Sequence, residues 1–359
     1  MTAYLLRRLL LVIPTLFGII AINFAVVQFA PGGPVEQMMA QIRQESASAT
    51  LRIGGAGTEV MQANRSGFYR GAQGIDAETR ARIRRLFGFD KPPLQRFLLM
   101  LKNDLTFHFG RSFFLDRPVL QLVAERLPVS MSLGLWSTLL VYLVSIPLGI
   151  AKAVRHGSRF DLVSSAVVLV GYAVPAFLFA ILLVVLFAGG SFWQIFPLRG
   201  LTSAGASAWP WPARVADYFW HLVLPILSMV VGSFATLTML TKNCFLEEIH
   251  KQYTLTARAK GASEMRVLAR HVFRNAMLLI VAGFPQAFLN ILFTSALLVE
   301  IIFSLNGLGL LGFQAALHRD YPVMFGTLYI FTLLGLLLQI VGDMLYTVVD
   351  PRIDFEARR

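Results

Sequence analysis

Six runs of mostly apolar residues limit what this chain can become: Leu9–Phe29, Ser130–Ala151, Leu162–Ala188, Phe219–Thr241, Ala276–Phe303 and Pro322–Val349. About twenty helical residues rise roughly 30 Å, the depth of a bilayer's hydrocarbon. A chain crossing that layer has no water to satisfy its backbone, so each run is predicted to be a helix. Charged residues make up 14% of the chain, against about 25% in a soluble domain. The fold class is therefore an all-α integral membrane protein with six transmembrane helices.

Arg7 and Arg8 precede the first run and place the N-terminus inside. A cleaved secretory signal begins similarly, but its apolar core spans only about 7–15 residues. Six crossings return the C-terminus to the inside. The segments this topology makes cytoplasmic hold fifteen Lys and Arg, and the two short outer loops hold three, Arg199, Arg214 and Arg319. The formal charge of +12 is thus a topology signal, and no nucleic-acid partner is expected.

The expected organisation is 1–30 for the cytoplasmic N-terminus and first helix, and 31–128 for a long extracytoplasmic segment. Residues 129–350 form the core of helices two to six with a cytoplasmic loop at 242–275, and 351–359 form a cytoplasmic tail. Within the outer segment, Pro31-Gly32-Gly33-Pro34 stops the first helix, and 44–74 is rich in Gly, Ser and Ala. Helical spacing returns at Ile83, Leu86 and Phe87, then at Phe97, Leu98, Leu101 and Leu105. Loops this long cross membranes largely regardless of charge, so their arginines carry no topological information.

Residues with catalytic chemistry are sparse. The six histidines, from His108 to His318, form no metal-binding pair, and the single Cys244 excludes an internal disulfide. No phosphate-binding Gly-rich loop precedes a Lys-Ser/Thr pair. Glu300 and Asp343 lie towards opposite ends of their runs, whereas an ion-coupled carrier calls for acids near mid-membrane. A secondary transporter and a membrane enzyme stand as alternatives without supporting residues. Pro14, Pro147, Pro175, Pro225 and Pro285 sit one in each of the first five runs, where kinks suit a moving pathway.

One cytoplasmic loop is far longer than a turn requires. After Phe219–Thr241 the helical pattern continues through Phe245–Ile249, with Glu247 and Lys251 spaced to pair. Thr254–Lys260 is compact and ends at Gly261, and Ser263 followed by Glu264 starts a second short helix. Met265, Leu268 and Val272 then fall on one predicted stripe, and Arg266, Arg270 and Arg274 on another suited to lipid phosphates.

Tyr253-x-x-Thr256-Ala-Arg-Ala-Lys-Gly261, followed by His271-x-x-Arg274-Asn275-Ala276, resembles the coupling loop of ABC importer permeases in the dipeptide/oligopeptide/nickel family. Leu255, Thr256 and Ala257 occupy the positions where the wider family has Glu-Ala-Ala. The glutamate is thus absent, as in the peptide-importing branch. Further along the chain, Tyr4-Leu-x-Arg-Arg-Leu, Phe29-Ala-Pro-Gly-Gly-Pro34, Phe109-Gly-Arg-Ser112, Arg126-Leu-Pro128, Phe303-Ser-Leu-Asn-Gly-Leu-Gly309, Arg319-Asp-Tyr-Pro322 and Asp350-Pro-Arg-Ile-Asp354 resemble B-type subunits. Leu133-Gly-Leu-Trp-Ser-Thr138 and Gly171-Tyr-Ala-Val-Pro-Ala-Phe177 are similar to the Yej-type branch, which takes up oligopeptides and the peptide-nucleotide antibiotic microcin C.

The resemblance implies a type I importer permease fold and a transport subunit in the inner membrane that is not itself an enzyme. It implies a heterodimer with a second permease, an ATPase subunit with two nucleotide-binding domains, a periplasmic peptide-binding protein and surrounding membrane lipid. ATP and Mg belong to the ATPase, leaving no cofactor in this chain. Thr254, Leu255, Thr256, Ala257, Arg258, Ala259, Lys260 and Gly261 are the expected ATPase contact. Pro175, Pro285, Glu300, Asn306 and Gly307 are candidate pathway or gate residues.

Overall fold

Apolar runs with few charges emerge as helices. The computed structural model describes residues 2–29, 91–190, 192–290 and 296–349. The readings at 31–90, including the helical spacing at Ile83–Phe87, and the tail after 349 lie outside the described residues. Among the described residues regular structure is helical, with one isolated β-bridge between Arg111 and Pro118.

The elements are α1 (Thr2–Phe29), α2 (Pro93–Leu105), α3 (Val119–Val154), α4 (Arg159–Ala173), α5 (Ala176–Phe187) and α6 (Trp211–Ile249). They continue as α7 (Gln252–Ala259), α8 (Glu264–Arg266), a π-helical stretch Val267–Val272, α9 (Phe273–Ala282), α10 (Phe284–Asn290), α11 (Ala296–Ile302), α12 (Leu308–Leu317) and α13 (Tyr321–Val349). Five segments are long and apolar enough to cross a membrane: Leu6–Val26, Val119–Val154, Trp211–Ile249, Glu264–Asn290 and Tyr321–Met344. The third predicted span is divided into α4 and α5, which meet at 92°, and counting that pair as one crossing gives six.

The division has a local cause. Pro175 offers no backbone N–H and crowds the residue before it. Val174 is accordingly extended, at φ −85° and ψ 118°, and α5 restarts after the proline. At 39 residues, α6 is about 58 Å long, well beyond the depth of a bilayer's hydrocarbon, so it is longer than a crossing requires.

The described chain groups into two compact units. The larger comprises Met1–Val12, Val123–Phe313 and Phe331–Arg359, with α4, α5 and α9 packed on α6. Its core includes Leu222, Val230, Phe245, Ile280 and Phe303. Small residues set its closest helix approaches. A Cβ on Gly149 would fall 2.5 Å from the Thr241 Cβ, and one on Gly342 would fall 2.6 Å from the Pro285 Cγ.

The smaller unit comprises Ile13–Leu122 and Gln314–Ile330. Phe97 packs edge-on against Phe17 and Phe24, with ring centroids 5.5 and 5.4 Å away. The buried carboxylate of Asp320 accepts hydrogen bonds from the Ser112 hydroxyl and from the Phe113 and Phe114 amides. Two short motifs distant in sequence, Phe109–Ser112 and Arg319–Pro322, thus share one polar joint.

Candidate functional site

The polar loop after α6 folds from its own side chains. Thr254 is fully buried, and its hydroxyl is 2.7 Å from the carbonyls of both Ile249 and Lys251. Tyr253 donates to Glu248 at 2.6 Å, and Lys251 pairs with Glu248 and, at 3.6 Å, with Glu247. The Glu248 carboxylate raises the Lys251 ammonium above the ordinary lysine range. Burial first, and then Glu248, raise the Tyr253 hydroxyl. These bonds seat α7 against the end of α6.

At the far end, Ala262 N–H donates to the Ala257 carbonyl at 3.1 Å and Gly261 N–H to the Arg258 carbonyl at 2.8 Å. This pair is a Schellman motif, and it requires the left-handed backbone seen at Gly261, φ +84°. Open space surrounds the position where a Cβ would lie, so conformation, not crowding, selects glycine there. Arg258 donates to Glu264 at 2.9 Å and closes the corner between α7 and α8.

Leu255, Thr256, Ala259 and Lys260 remain exposed. Leu255 is half exposed on a polar loop. Beneath the corner, a cavity of about 380 Å³ is walled by Leu246, Ile249 and Val267, with His156 and Arg258 also lining it.

The apolar stripe expected at Met265, Leu268 and Val272 differs from its helical expectation. Val267 and Val272, five residues apart, are buried, while Met265 is 72% exposed. Residues Val267–Val272 form a π-helix, whose longer hydrogen-bond period replaces the 3.6-residue face.

Behind the loop lies a charged cluster that sequence reasoning counted only for topology. Lys152 is fully buried, and its ammonium donates to the Asp161 carbonyl at 3.0 Å, Ser164 at 2.9 Å and Ser165 at 2.6 Å. Lys242 donates to both Asp161 carboxylate oxygens at 2.8 Å, and Lys152 lies 3.3 Å from one of them. Asp161 also accepts from the Gly157 amide, and its own amide donates to Ser158, the N-cap of α4. The Ser158-x-x-Asp161 spacing of a helix start is the one local sequence signal in this cluster. Nothing local marks the joining of α3, α4 and α6 through it.

The five candidate pathway residues are dispersed. Pro175 stands at the α4–α5 break and Pro285 is buried in α10 after Gly283. Asn306 is exposed in the turn before α12. Glu300 and Gly307 are brought together. Glu300 is fully buried, accepting from Ser130 at 2.9 Å and from the Leu310 amide at 2.7 Å. Ser130 in turn accepts from the Leu308 amide at 2.8 Å. Glu300 and Ser130 therefore satisfy N–H groups in the first turn of α12, which have no partner within the helix. Among the described residues no group of three or more His, Cys, Asp or Glu is placed to hold a metal.

These features define a multi-spanning helical membrane protein that displays an ordered helical corner on an extended helix. Residues 145–355 match the family described as binding-protein-dependent transport system inner membrane component. Across the full length of both chains, this one is 59% identical to the inner membrane ABC transporter permease protein YejB of Escherichia coli O157:H7. It is 55% identical, again over 100% of both, to the peptidoglycan transport system permease protein YejB of Agrobacterium fabrum. It is 31% identical to the oligopeptide transport system permease protein AppB of Bacillus subtilis, over 99% of this chain and 100% of the other. The chain belongs to this family of ABC transporter permeases, multi-pass transport components of the inner membrane.

Proposed function

We propose that this chain is the permease subunit through which an ATP-driven importer moves short peptides into the cytoplasm. The names of its relatives support the substrate class: one transports oligopeptides and another peptidoglycan, whose shared recognisable chemistry is a short peptide. Peptide conjugates of the microcin C kind belong to the same reading. Dipeptides or another solute of the family are the alternative. In this reading the fold is of the type I importer class, both termini are cytoplasmic, and a second permease completes the pathway. A partner ATPase with two nucleotide-binding domains supplies ATP and Mg chemistry, and a periplasmic peptide-binding protein delivers substrate.

The observation that carries the mechanism is α7 with its Schellman end. The α7 helix, Gln252–Ala259, and its end at Lys260 and Gly261 are fixed to α6, with Leu255, Thr256, Ala259 and Lys260 outward. An ATPase groove that fits this face better in one nucleotide state than another would turn its own closure into movement of α6 and the π-helical stretch. Pro175 and Pro285 are proposed as hinge points. Glu300 is proposed to act with Gly307 and Asn306 through the placement of α12. Gly261→Trp should insert and assemble normally in proteoliposomes containing the whole transporter, hydrolyse ATP, and lose most peptide uptake. Normal uptake by that variant would remove the coupling assignment.

A further inference from the structure

Beside the start of α4, an apolar groove of about 520 Å³ runs along Leu148, Phe160, Val163, Val167 and Val168, with Arg159 at one end. Val163 and Val167 are 62% and 67% exposed. Residues 160–168 span roughly 12 Å of helix, enough to follow much of a lipid tail. Ser164, the polar residue of the wall, has its hydroxyl committed to the Phe160 carbonyl at 2.6 Å. The walls therefore offer a ligand hydrophobic contact.

The mouth is different in character. The Arg155 guanidinium lies 5.4 Å from the centre of the Phe160 ring, and Arg159 is exposed beside it. Neither arginine pairs with a carboxylate among the described residues. The nearby acid, Asp161, is turned inward onto Lys152 and Lys242. Two guanidinium groups without a carboxylate partner thus end an apolar trough on α4, the first half of the bent apolar pair. On the proposed topology they face the cytoplasmic leaflet, where anionic headgroups gather.

We propose that this groove is a binding site for one anionic phospholipid, its phosphate held by Arg159 and Arg155 and one tail lying along Phe160–Val168. Arginine matches phosphate with paired donors, and the tail covers side chains that water would otherwise meet. Its lining includes neither the basic stripe of Arg266, Arg270 and Arg274 nor the exposed face of α7.

The test uses the full chain in its assembled transporter, reconstituted with photoactivatable phosphatidylglycerol or with phosphatidylcholine of the same tails. Phosphatidylglycerol should label the peptide containing residues 159–168 several-fold more strongly. Arg159→Gln should reduce that labelling about fivefold, the attraction of one basic residue for an anionic surface. Val163→Trp should block the groove and reduce labelling without removing charge, which keeps the test informative if the arginine variant fails to insert. Equal labelling by both lipids, or labelling unchanged by both variants, would overturn the proposal. So would a full-yield disulfide from Val167→Cys to another protein of the transporter.

Discussion

A Cβ placed on Gly307 would fall 2.0 Å from the Glu300 Oε1. Glycine at 307 is thus what allows Glu300 to reach the start of α12. Gly307→Ala should push the carboxylate away from Ser130 and the Leu310 amide. Each buried donor left without a partner costs about 1–3 kcal/mol. Thermal unfolding of the purified protein should show Gly307→Ala and Glu300→Ala losing similar stability, with little further loss when they are combined. Full additivity would show that the two residues act apart.

Asp161 answers two cations, one of them fully buried, so the two kinds of substitution here have unequal costs. Asp161→Asn leaves Lys152 and Lys242 facing each other without their carboxylate. Breaking a buried ion pair from one side typically costs about 3–5 kcal/mol. Lys152→Met removes the more buried charge and leaves Lys242 paired, so it should cost well under half as much. Chemical denaturation of both variants checks the order, and a Lys152→Met loss equal to that of Asp161→Asn would refute it.

The long apolar helices were readable because an apolar run of about twenty residues with low charge satisfies its own backbone in a membrane only as a helix. Gly261 was readable because a left-handed helix end favours glycine so strongly. The π-helical stretch was not. Met265, Leu268 and Val272 satisfy an ordinary helical stripe, and packing of Val267 and Val272 decides against it. The Lys242–Asp161 pair joins residues 81 positions apart, so local spacing carried no trace of it. Pro175 announced a break, but the 92° bend also depends on how α4 and α5 pack on α6.

Asp104, in the smaller unit at the end of α2, is 8% exposed, and burial lifts its carboxyl from 3.8 to about 6. The folded state therefore holds a proton that the unfolded state has released between these values. Stability from the neutral carboxyl is fully present below about pH 3.8 and is lost as pH rises through about 6. Asp104→Asn removes the titrating group. Its melting temperature relative to the native protein should rise between pH 4 and pH 7 on the order of a few degrees, measured in the same detergent. A difference that stays flat across that interval would contradict the raised value.

Gly149 connects helix packing to the charged cluster. It lies three residues before Lys152, and its close neighbour Thr241 directly precedes Lys242. A Cβ at 149 would meet the Thr241 Cβ at 2.5 Å and the Thr238 carbonyl at 2.8 Å, both on α6. Helices α3 and α6 can therefore approach closely enough for both lysines to reach Asp161 only while this position has no side chain. Gly149→Leu should separate the helices, at about 1–3 kcal/mol for overpacking, and lengthen the ion pairs as well. Because both effects act on one cluster, the loss should not add to that of Asp161→Asn. A double-mutant cycle on unfolding free energy should give a coupling of about 0.5–3 kcal/mol. A coupling near zero would mean that the glycine serves packing alone and that the lysines reach Asp161 without it.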